Sequence, residues 1–331
     1  RLHGYWLNRW GDQFIRNWDP QRMTDTTRDV ASVAQTIEIL EGRGGPQGGI
    51  FVSFKHLPHE LVDYSAQTLP MWRNFIYGGF KLAEFGFDMK ERAFEAAPAA
   101  HYWNGGIKIN ENAGTSVPGL YAAGEVIGGN MGANRLSGNA VTECVVWGAR
   151  AGRFAAEYAK KANPPEIDTK QVEALEKKIL APLERKGGIK PVQLKKKLQG
   201  LAFENVGPVR IKEGLQRAVE EIERIKSQDL PKLYSECKDT IYNNEWTSAL
   251  KVANMVQVLE MVVRASIPRK ESRGAMYRRD YPNTDNKSFL RNMVIKQIAG
   301  KMKISSSPVV VTRVRLPKRE VIPYFAGGPQ Q

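Results

Sequence analysis

The sequence predicts a mixed chain: an α+β region, a strand–loop–helix unit of α/β type, and a helical bundle followed by a small β-rich tail. Three observations carry that prediction. Residues 119–141, GLYAAGEVIGGNMGANRLSGNAV, set a glycine-rich loop between an apolar run and a helix. Residues 164–265 keep a charged, 3.6-residue periodicity with few strand signals. Near the C-terminus, MVIKQIAGKMKISSSPVVVTRVRL is rich in β-formers.

Taken in order, GYWLNRWGDQFI reads as a hairpin closed around Gly11 and Asp12. TTRDVASVAQTIEILEGRGG starts a helix with Thr26 or Thr27 as N-cap. Val30, Val33, Ala34, Ile37 and Leu40 share one face of it, and Gly42, Gly44 and Gly45 stop it. GGIFVSFKHL is a strand, and 59–86 forms one or two helices carrying Leu61, Trp72, Phe75, Phe80 and Phe85. FEAAPAAHYWNGGIKIN returns to extended structure, and IKINENAGTSVPGLYAAGE alternates strand, turn and strand. NAVTECVVWGARAGRFAAEYAKK is a helix whose Gly148 and Gly152, one turn apart, permit close backbone contact; ANPPEID ends that unit. VEALEKKILAPLERK, VRIKEGLQRAVEEIERIKSQ and WTSALKVANMVQVLEMVVRASI read as successive helices of a bundle.

At 331 residues the chain is long enough for two or three domains, and 42% hydrophobic with 25% charged residues is ordinary for a globular protein. No apolar stretch is long enough to cross a bilayer. The sequence begins at Arg1 and not at methionine, so we expect a piece whose upstream part is missing. Two cysteines, Cys144 and Cys237, make no disulfide framework and favour a reducing compartment. The net charge of +14 suggests acidic partners. Zinc spacing, an aromatic RNA-binding signature and an arginine-rich arm are all missing, so nucleic acid is not expected and no metal site is assigned. The basic residues read as solvated faces and docking surfaces for acidic subunits or anionic substrates.

The chemistry concentrates in the glycine loop. A strand, a glycine loop and then a helix let backbone N–H groups approach a polar or anionic ligand at the helix N-terminus. Glu125 follows the strand, where a carboxylate can accept from a ribose or ribityl hydroxyl. Asn134 and Asn139 offer amides on either side of Arg135, whose guanidinium can grip a carboxylate as a fork.

Four motifs, in order, make the stretch familiar. GLYAAGEVIGGNMGANRLSGNAV resembles the C-terminal FAD-binding segment of the fumarate reductase and succinate dehydrogenase flavoprotein family, GL(Y/F)AxGE…GxHGANRLxxNSL, which L-aspartate oxidase shares. HYWNGGI at 101–107 resembles H(Y/H)xMGGI, and TTRDVAS at 26–32 resembles xxRDxxS. RKESRGAMYRRDYPNTD at 269–285 resembles RxESRGAHxRxDYPxxD. The resemblance spans nearly the whole chain. It implies the C-terminal part of a capping, substrate-lid domain over 1–104, a second segment of an FAD-binding, Rossmann-like domain over 105–163, a helical domain over 164–295 and a small β-rich tail over 296–331.

Family chemistry exchanges a hydride between flavin N5 and a dicarboxylate carbon, while an arginine exchanges the proton on the neighbouring carbon. Arg28 matches that arginine; His101 and Arg135 match the groups that hold a substrate carboxylate. The role of His101 rests on the motif, and His3, His56 and His59 receive none. Glu125 matches the residue that binds the ribityl chain, and Gly105 and Gly106 match glycines that let the backbone approach the isoalloxazine ring. Asn134 and the backbone from Ser137 through Asn139 and Ala140 to Val141 complete the expected FAD contacts, with the helix start aimed at the flavin N1 and C2 carbonyl region.

Three positions depart from the pattern. Met131 stands where HGANR has histidine, Asn104 where MGG has methionine, and Met276 where GAH has histidine. Asn104 adds hydrogen-bonding capacity and Met131 removes some, which points to a substrate other than plain fumarate or succinate. There is no G-x-G-x-x-G, so the remaining dinucleotide-binding fold is expected from an upstream part or a second chain. The resemblance also implies an acidic iron–sulfur subunit docked on the basic helical domain, in a cytoplasmic protein that reaches a membrane through its partners. An L-aspartate oxidase-like enzyme is the alternative. A non-catalytic assembly or RNA-binding module has only the +14 charge in its favour, and the joint retention of Arg28, His101 and Arg135 argues against it.

Overall fold

The computed structural model describes residues 2–312 and, as backbone, the strand Val321–Pro323. Between Ala100 and His101 the described residues divide into two units. Arg1, 313–320 and 324–331, the last two belonging to the expected tail, lie outside the described residues.

The first unit contains β1 (Tyr5–Leu7), α1 (Arg28–Leu40), β2 (Ile50–Ser53), α2 (His59–Thr68), α3 (Pro70–Ile76) and β3 (Phe94–Ala96). β2 is the central strand of an antiparallel three-stranded sheet, paired with β1 through Trp6 and Val52 and with β3 through Phe51 and Glu95. α1 buries Ala31, Val33, Ala34 and Ile37. Of the face its spacing predicts, Val33, Ala34 and Ile37 are buried, Val30 is half-buried and Leu40 at the last turn is exposed. Phe54, Val62, Ala66, Ile76 and Met89 form the core beneath α2 and α3. The expected hairpin at 4–15 does not form. Asn8 turns the chain, its Oδ1 accepting the N–H groups of Trp10 and Asp12 at 3.0 Å. Phe14 and Ile15 are then both buried, which a strand with alternating faces cannot do; they start a 3₁₀ turn, and β1 pairs with β2 instead.

The second unit begins with irregular chain. The expected strand over 119–125 is only a single bridge between Gly114 and Tyr121, followed by a 3₁₀ turn at Gly124–Val126. Gly119 (φ +80°) and Gly124 (φ +78°) are left-handed and break any extended run between them. Then come α4 (Asn139–Ala159), α5 (Thr169–Glu184), α6 (Pro191–Val206), β4 (Val209–Arg210), α7 (Lys212–Arg224) and α8 (Asn244–Ser266). Asp168 caps α5 by accepting from the N–H groups of Lys170 and Gln171, and Asn243 caps α8 by accepting from Trp246.

α6 is a helix the sequence pattern did not single out, because Gly200 and the lysines at 195–197 dilute its apolar face. It nevertheless supplies Leu194, Leu198 and Val206 to the principal core, where they meet Leu215, Ala218 and Ile222 of α7 and Ala249, Val252, Val256 and Val263 of α8. α4 instead presents Val141, Val145 and Val146 to solvent, and side chains added at Gly148 or Gly152 would meet nothing.

β5 (Tyr277–Arg278) runs parallel to β4, and β6 (Asn283–Asp285) leads into the single turn α9 (Asn286–Phe289). β7 (Arg291–Ile298) and β8 (Lys301–Pro308) form a hairpin closed by Ala299 and Gly300, both at positive φ as a two-residue turn requires. Among the described residues no helix is long and apolar enough to cross a membrane.

Candidate functional site

The glycine loop is assembled from two backbones that touch. The Ile107 N–H donates to the Val126 carbonyl at 2.8 Å, and the Gly128 N–H returns to the Ile107 carbonyl at 3.0 Å. A Cβ on Gly106 would fall 2.1 Å from the Val126 oxygen, so at this position glycine permits chain-on-chain contact. Glu125, at the turn, accepts the Trp103 N–H on Oε1 at 2.9 Å, which joins the HYWNGG segment to the loop.

Beyond Gly128 the backbone opens. Gly129, Gly132 and Gly138 hold φ of +101°, +62° and +88°, and a Cβ on any of them would meet nothing within 4 Å. Gly138 leads into α4 without a side-chain cap, and the first turn holds no acidic residue. The N–H groups at Ala140 and Val141 therefore face an uncapped, electropositive helix start. An open backbone surface, a carboxylate at the turn and a bare helix N-terminus together fit a polar, anionic cofactor.

Arg135 is the residue whose environment is most unusual. Its guanidinium carbon lies 4.6 Å from the centre of the Tyr102 ring. Nη1 donates to the neighbouring Leu136 carbonyl at 3.2 Å, while Nε is buried with no partner. Nη2 makes no hydrogen bond among the described residues either. The Nε–Nη2 edge, without a protein partner among the described residues, is one that can pair with a carboxylate in fork geometry.

Beneath the stack, the Tyr102 hydroxyl donates to Oε2 of Glu143 on α4, and Glu143 Oε1 is buried and unpartnered. Desolvation, followed by the hydrogen bond and charge of Glu143, pushes the Tyr102 phenol up to about 12. It remains a neutral donor. Asn104 Oδ1 is also buried without a partner.

From the helical part of this unit, the ESRGAM segment reaches the loop. The Ala275 N–H donates to the Ala133 carbonyl at 3.0 Å. Gly274, at φ +56°, lies so close that a Cβ would sit 2.2 Å from the same oxygen. Glu271 organises the segment while completely buried. It pairs with Arg269 and, at 2.9 Å through both oxygens, with Arg273, and it accepts the Asp285 N–H at 2.9 Å. Arg278, also buried, forks onto Asp280 at 2.6 and 2.8 Å. Burial works against the Asp280 charge, but the Arg278 fork outweighs it and holds the carboxyl below its usual range.

The remaining expected residues fall as follows. His101 is exposed at the head of the HYWNGG segment and makes no hydrogen bond among the described residues. Asn134, Ser137 and Asn139 are exposed around Arg135 and the helix start, and a Cβ added at Gly105 would meet only the Trp103 indole, at 3.5 Å. Arg28 belongs to the first unit, exposed at the first position of α1. Neither neighbouring acid pairs with it: Asp25 holds His3 at 3.2 Å, and Asp29 Oδ1 is buried without a partner. Sequence reasoning missed Tyr102, Glu143 and the Gly274–Ala133 contact. Glu143 did leave a signal, as the sole charge between Arg135 and Arg150.

Two family descriptions match the chain in order: "FAD binding domain" over residues 2–141 and "Fumarate reductase flavoprotein C-term" over residues 195–321. An uncharacterized FAD-dependent oxidoreductase of Methanocaldococcus jannaschii is 34% identical over 297 residues, 88% of this chain and 51% of that protein. A fumarate reductase (CoM/CoB) polypeptide of Methanothermobacter marburgensis is 33% identical over 285 residues, 85% of this chain and 49% of that protein. The solved structure of Mycobacterium smegmatis Sdh1 in complex with UQ1 superposes with a TM-score of 0.80 at 30% identity, covering 94% of this chain and 51% of that one. The chain thus spans about half the length of the relatives it matches. With both family descriptions in place and relatives aligned across most of its residues, the chain belongs to the fumarate reductase and succinate dehydrogenase flavoprotein family, and its cofactor is FAD.

Proposed function

We propose that this chain is the substrate-binding part of an FAD-dependent oxidoreductase acting on the CH–CH bond of a C4-dicarboxylate or related enoate. The observation that carries the reading is the Nε–Nη2 edge of Arg135, free of protein partners and set beside the open glycine loop. Bound FAD supplies the hydride donor or acceptor at N5. Glu125, Gly105, Gly106, Asn134 and Ser137, with the N–H groups from Asn139 through Ala140 to Val141, would hold it.

Arg135 and His101 grip the substrate carboxylate, and Arg28 moves the proton at the neighbouring carbon. A guanidinium is a weak acid in water, so Arg28 requires a group that relays the proton onward. In domain terms, 1–104 caps the site, 105–163 is the second segment of a Rossmann-like FAD domain, 164–295 is helical and 296–331 forms the tail. The rest of the flavoprotein supplies the other part of the dinucleotide-binding fold. The net charge of +14 supports docking of an acidic iron–sulfur subunit, which would carry a cytoplasmic protein to a membrane. Asn104 Oδ1, buried and unpartnered, favours an enoate bearing a hydrogen-bond donor over plain fumarate.

Anaerobic assays of the FAD-loaded protein with fumarate, succinate and L-aspartate test the reading. Dye-linked turnover of fumarate or succinate supports it. Turnover confined to aspartate would make the enzyme an L-aspartate oxidase, and FAD-loaded protein inert toward C4-dicarboxylates and toward hydroxyl- or amino-bearing enoates alike would reject the proposal.

A further inference from the structure

The Tyr102 ring carries the Arg135 guanidinium on its face, and Glu143 accepts the Tyr102 hydroxyl. We infer that Tyr102, anchored by Glu143, is a positioning residue that fixes the plane of the Arg135 guanidinium so that its Nε–Nη2 edge meets a substrate carboxylate. The inference rests on the proposed role of Arg135 in carboxylate binding.

The geometry leaves Arg135 few ways to hold still. One face of the guanidinium lies on the Tyr102 ring at 4.6 Å, and Nη1 is taken by the Leu136 carbonyl at 3.2 Å. No protein carboxylate pairs with it among the described residues. The aromatic face therefore does the orienting without neutralising the charge that a substrate needs. An acidic partner would have competed for the same edge.

Tyr102 is in turn unable to swing away. Its hydroxyl donates to Oε2 of Glu143, and Glu143 stands in the early turns of α4 with 6% of its surface exposed. A buried carboxylate in that place would be costly to retain if it served packing alone. The uncapped start of α4 offsets part of the cost and fixes Glu143 in the frame of the same helix whose first N–H groups line the loop. Tyr102 thus ties the arginine to the helix start. The raised phenol pKa keeps the hydroxyl a donor throughout the working pH range.

The test uses the FAD-loaded protein and malonate, a dicarboxylate that cannot react, with binding followed by the flavin difference spectrum and fumarate kinetics run in parallel. Tyr102→Leu is expected to raise the malonate Kd and the fumarate KM about tenfold or more, as befits loss of a desolvated cation–π contact. FAD content should stay at the wild-type level and kcat should change less than KM. Tyr102→Phe, which keeps the ring and loses the anchor, should fall between wild type and Tyr102→Leu. Glu143→Gln, which still offers an acceptor oxygen, should restore nearly wild-type binding where Glu143→Leu does not.

Wild-type malonate affinity in Tyr102→Leu, or equal impairment in Glu143→Gln and Glu143→Leu, overturns the inference. Should Tyr102→Leu fail to take up FAD, the Tyr102→Phe and Glu143→Gln pair decides it. A wild-type protein that binds FAD but neither malonate nor fumarate rejects the proposed function itself, and this inference with it.

Discussion

Gly274 rests directly on the carbonyl of Ala133, where even a Cβ would come within 2.2 Å of the oxygen. The neighbouring Ala275 N–H donates to that carbonyl at 3.0 Å. Ala133 is two residues from Arg135, so the far-off ESRGAM segment sets the height of the loop that carries the arginine. The two motifs are parts of one structure. The stretch that resembles the family's C-terminal FAD-binding segment is backed by the stretch that resembles its RxESRGAHxRxDYPxxD motif.

Gly274→Ala should therefore do two things. It places a side chain in a left-handed backbone position and drives it into the Ala133 carbonyl, which costs about 1–3 kcal/mol of stability. It should also raise KM for the dicarboxylate by displacing Arg135. Gly300→Ala is the control: it also has positive φ (+74°) but open space around it. Equal effects of the two variants on KM would show that the contact does not position the loop.

Glu271 holds that segment in shape from a fully buried position between Arg269 and Arg273. Glu271→Ala strands two arginines and the Asp285 N–H, and should destabilise the protein by about 3–5 kcal/mol. Glu271→Gln retains an acceptor and should cost less. Urea unfolding of the two variants measures the difference, and equal losses would mean that charge alone, not hydrogen-bond geometry, organises the loop.

How much of this was legible in the sequence depends on the range of each contact. α4 and α8 follow from local periodicity with Gly138 and Asn243 at their starts, and the glycine loop announced itself by composition. The hairpin expectation failed because β1 found its partner in β2, a choice made by distant residues that no local period records. α6 was missed because its apolar face is thin until α7 and α8 cover it. At the candidate site, the motif drew attention to Arg135 and Glu125, and the structure shows the local contacts of each. Tyr102 reaching Glu143 across 41 residues, and Gly274 reaching Ala133, were not, since only the folded chain brings them together.

The charged end of α7 should make stability fall in acid. Asp229 and Glu221 both hold pKa values below the usual carboxylate range; at each the fork of Arg224 is the largest cause, and Lys197 adds to it. A carboxylate whose folded pKa is depressed contributes stability above its unfolded pKa and loses it as pH falls through the folded one. The loss should thus begin below about pH 4 and deepen with further acidification. Asp229→Asn removes one of these groups, so its melting temperature should decline less steeply between about pH 5 and pH 3. An unchanged slope would assign the acid sensitivity elsewhere.

Arg28 offers the sharpest test of the chemistry. It stands exposed at the start of α1 with no ion pair to Asp25 or Asp29, so structural pairing does not account for it. If it moves the proton, Arg28→Gln should lower kcat by about 10²–10⁴-fold, the span that a positioned proton-transfer group supplies. FAD content and malonate affinity should be preserved, because the site surface around Arg135 is untouched. Arg28→Lys should recover only part of the rate, since an ammonium lacks the planar fork of the guanidinium. The kinetics read the two roles apart: a defect confined to KM would make Arg28 a binding residue, and near-normal turnover in Arg28→Gln would remove it from the mechanism.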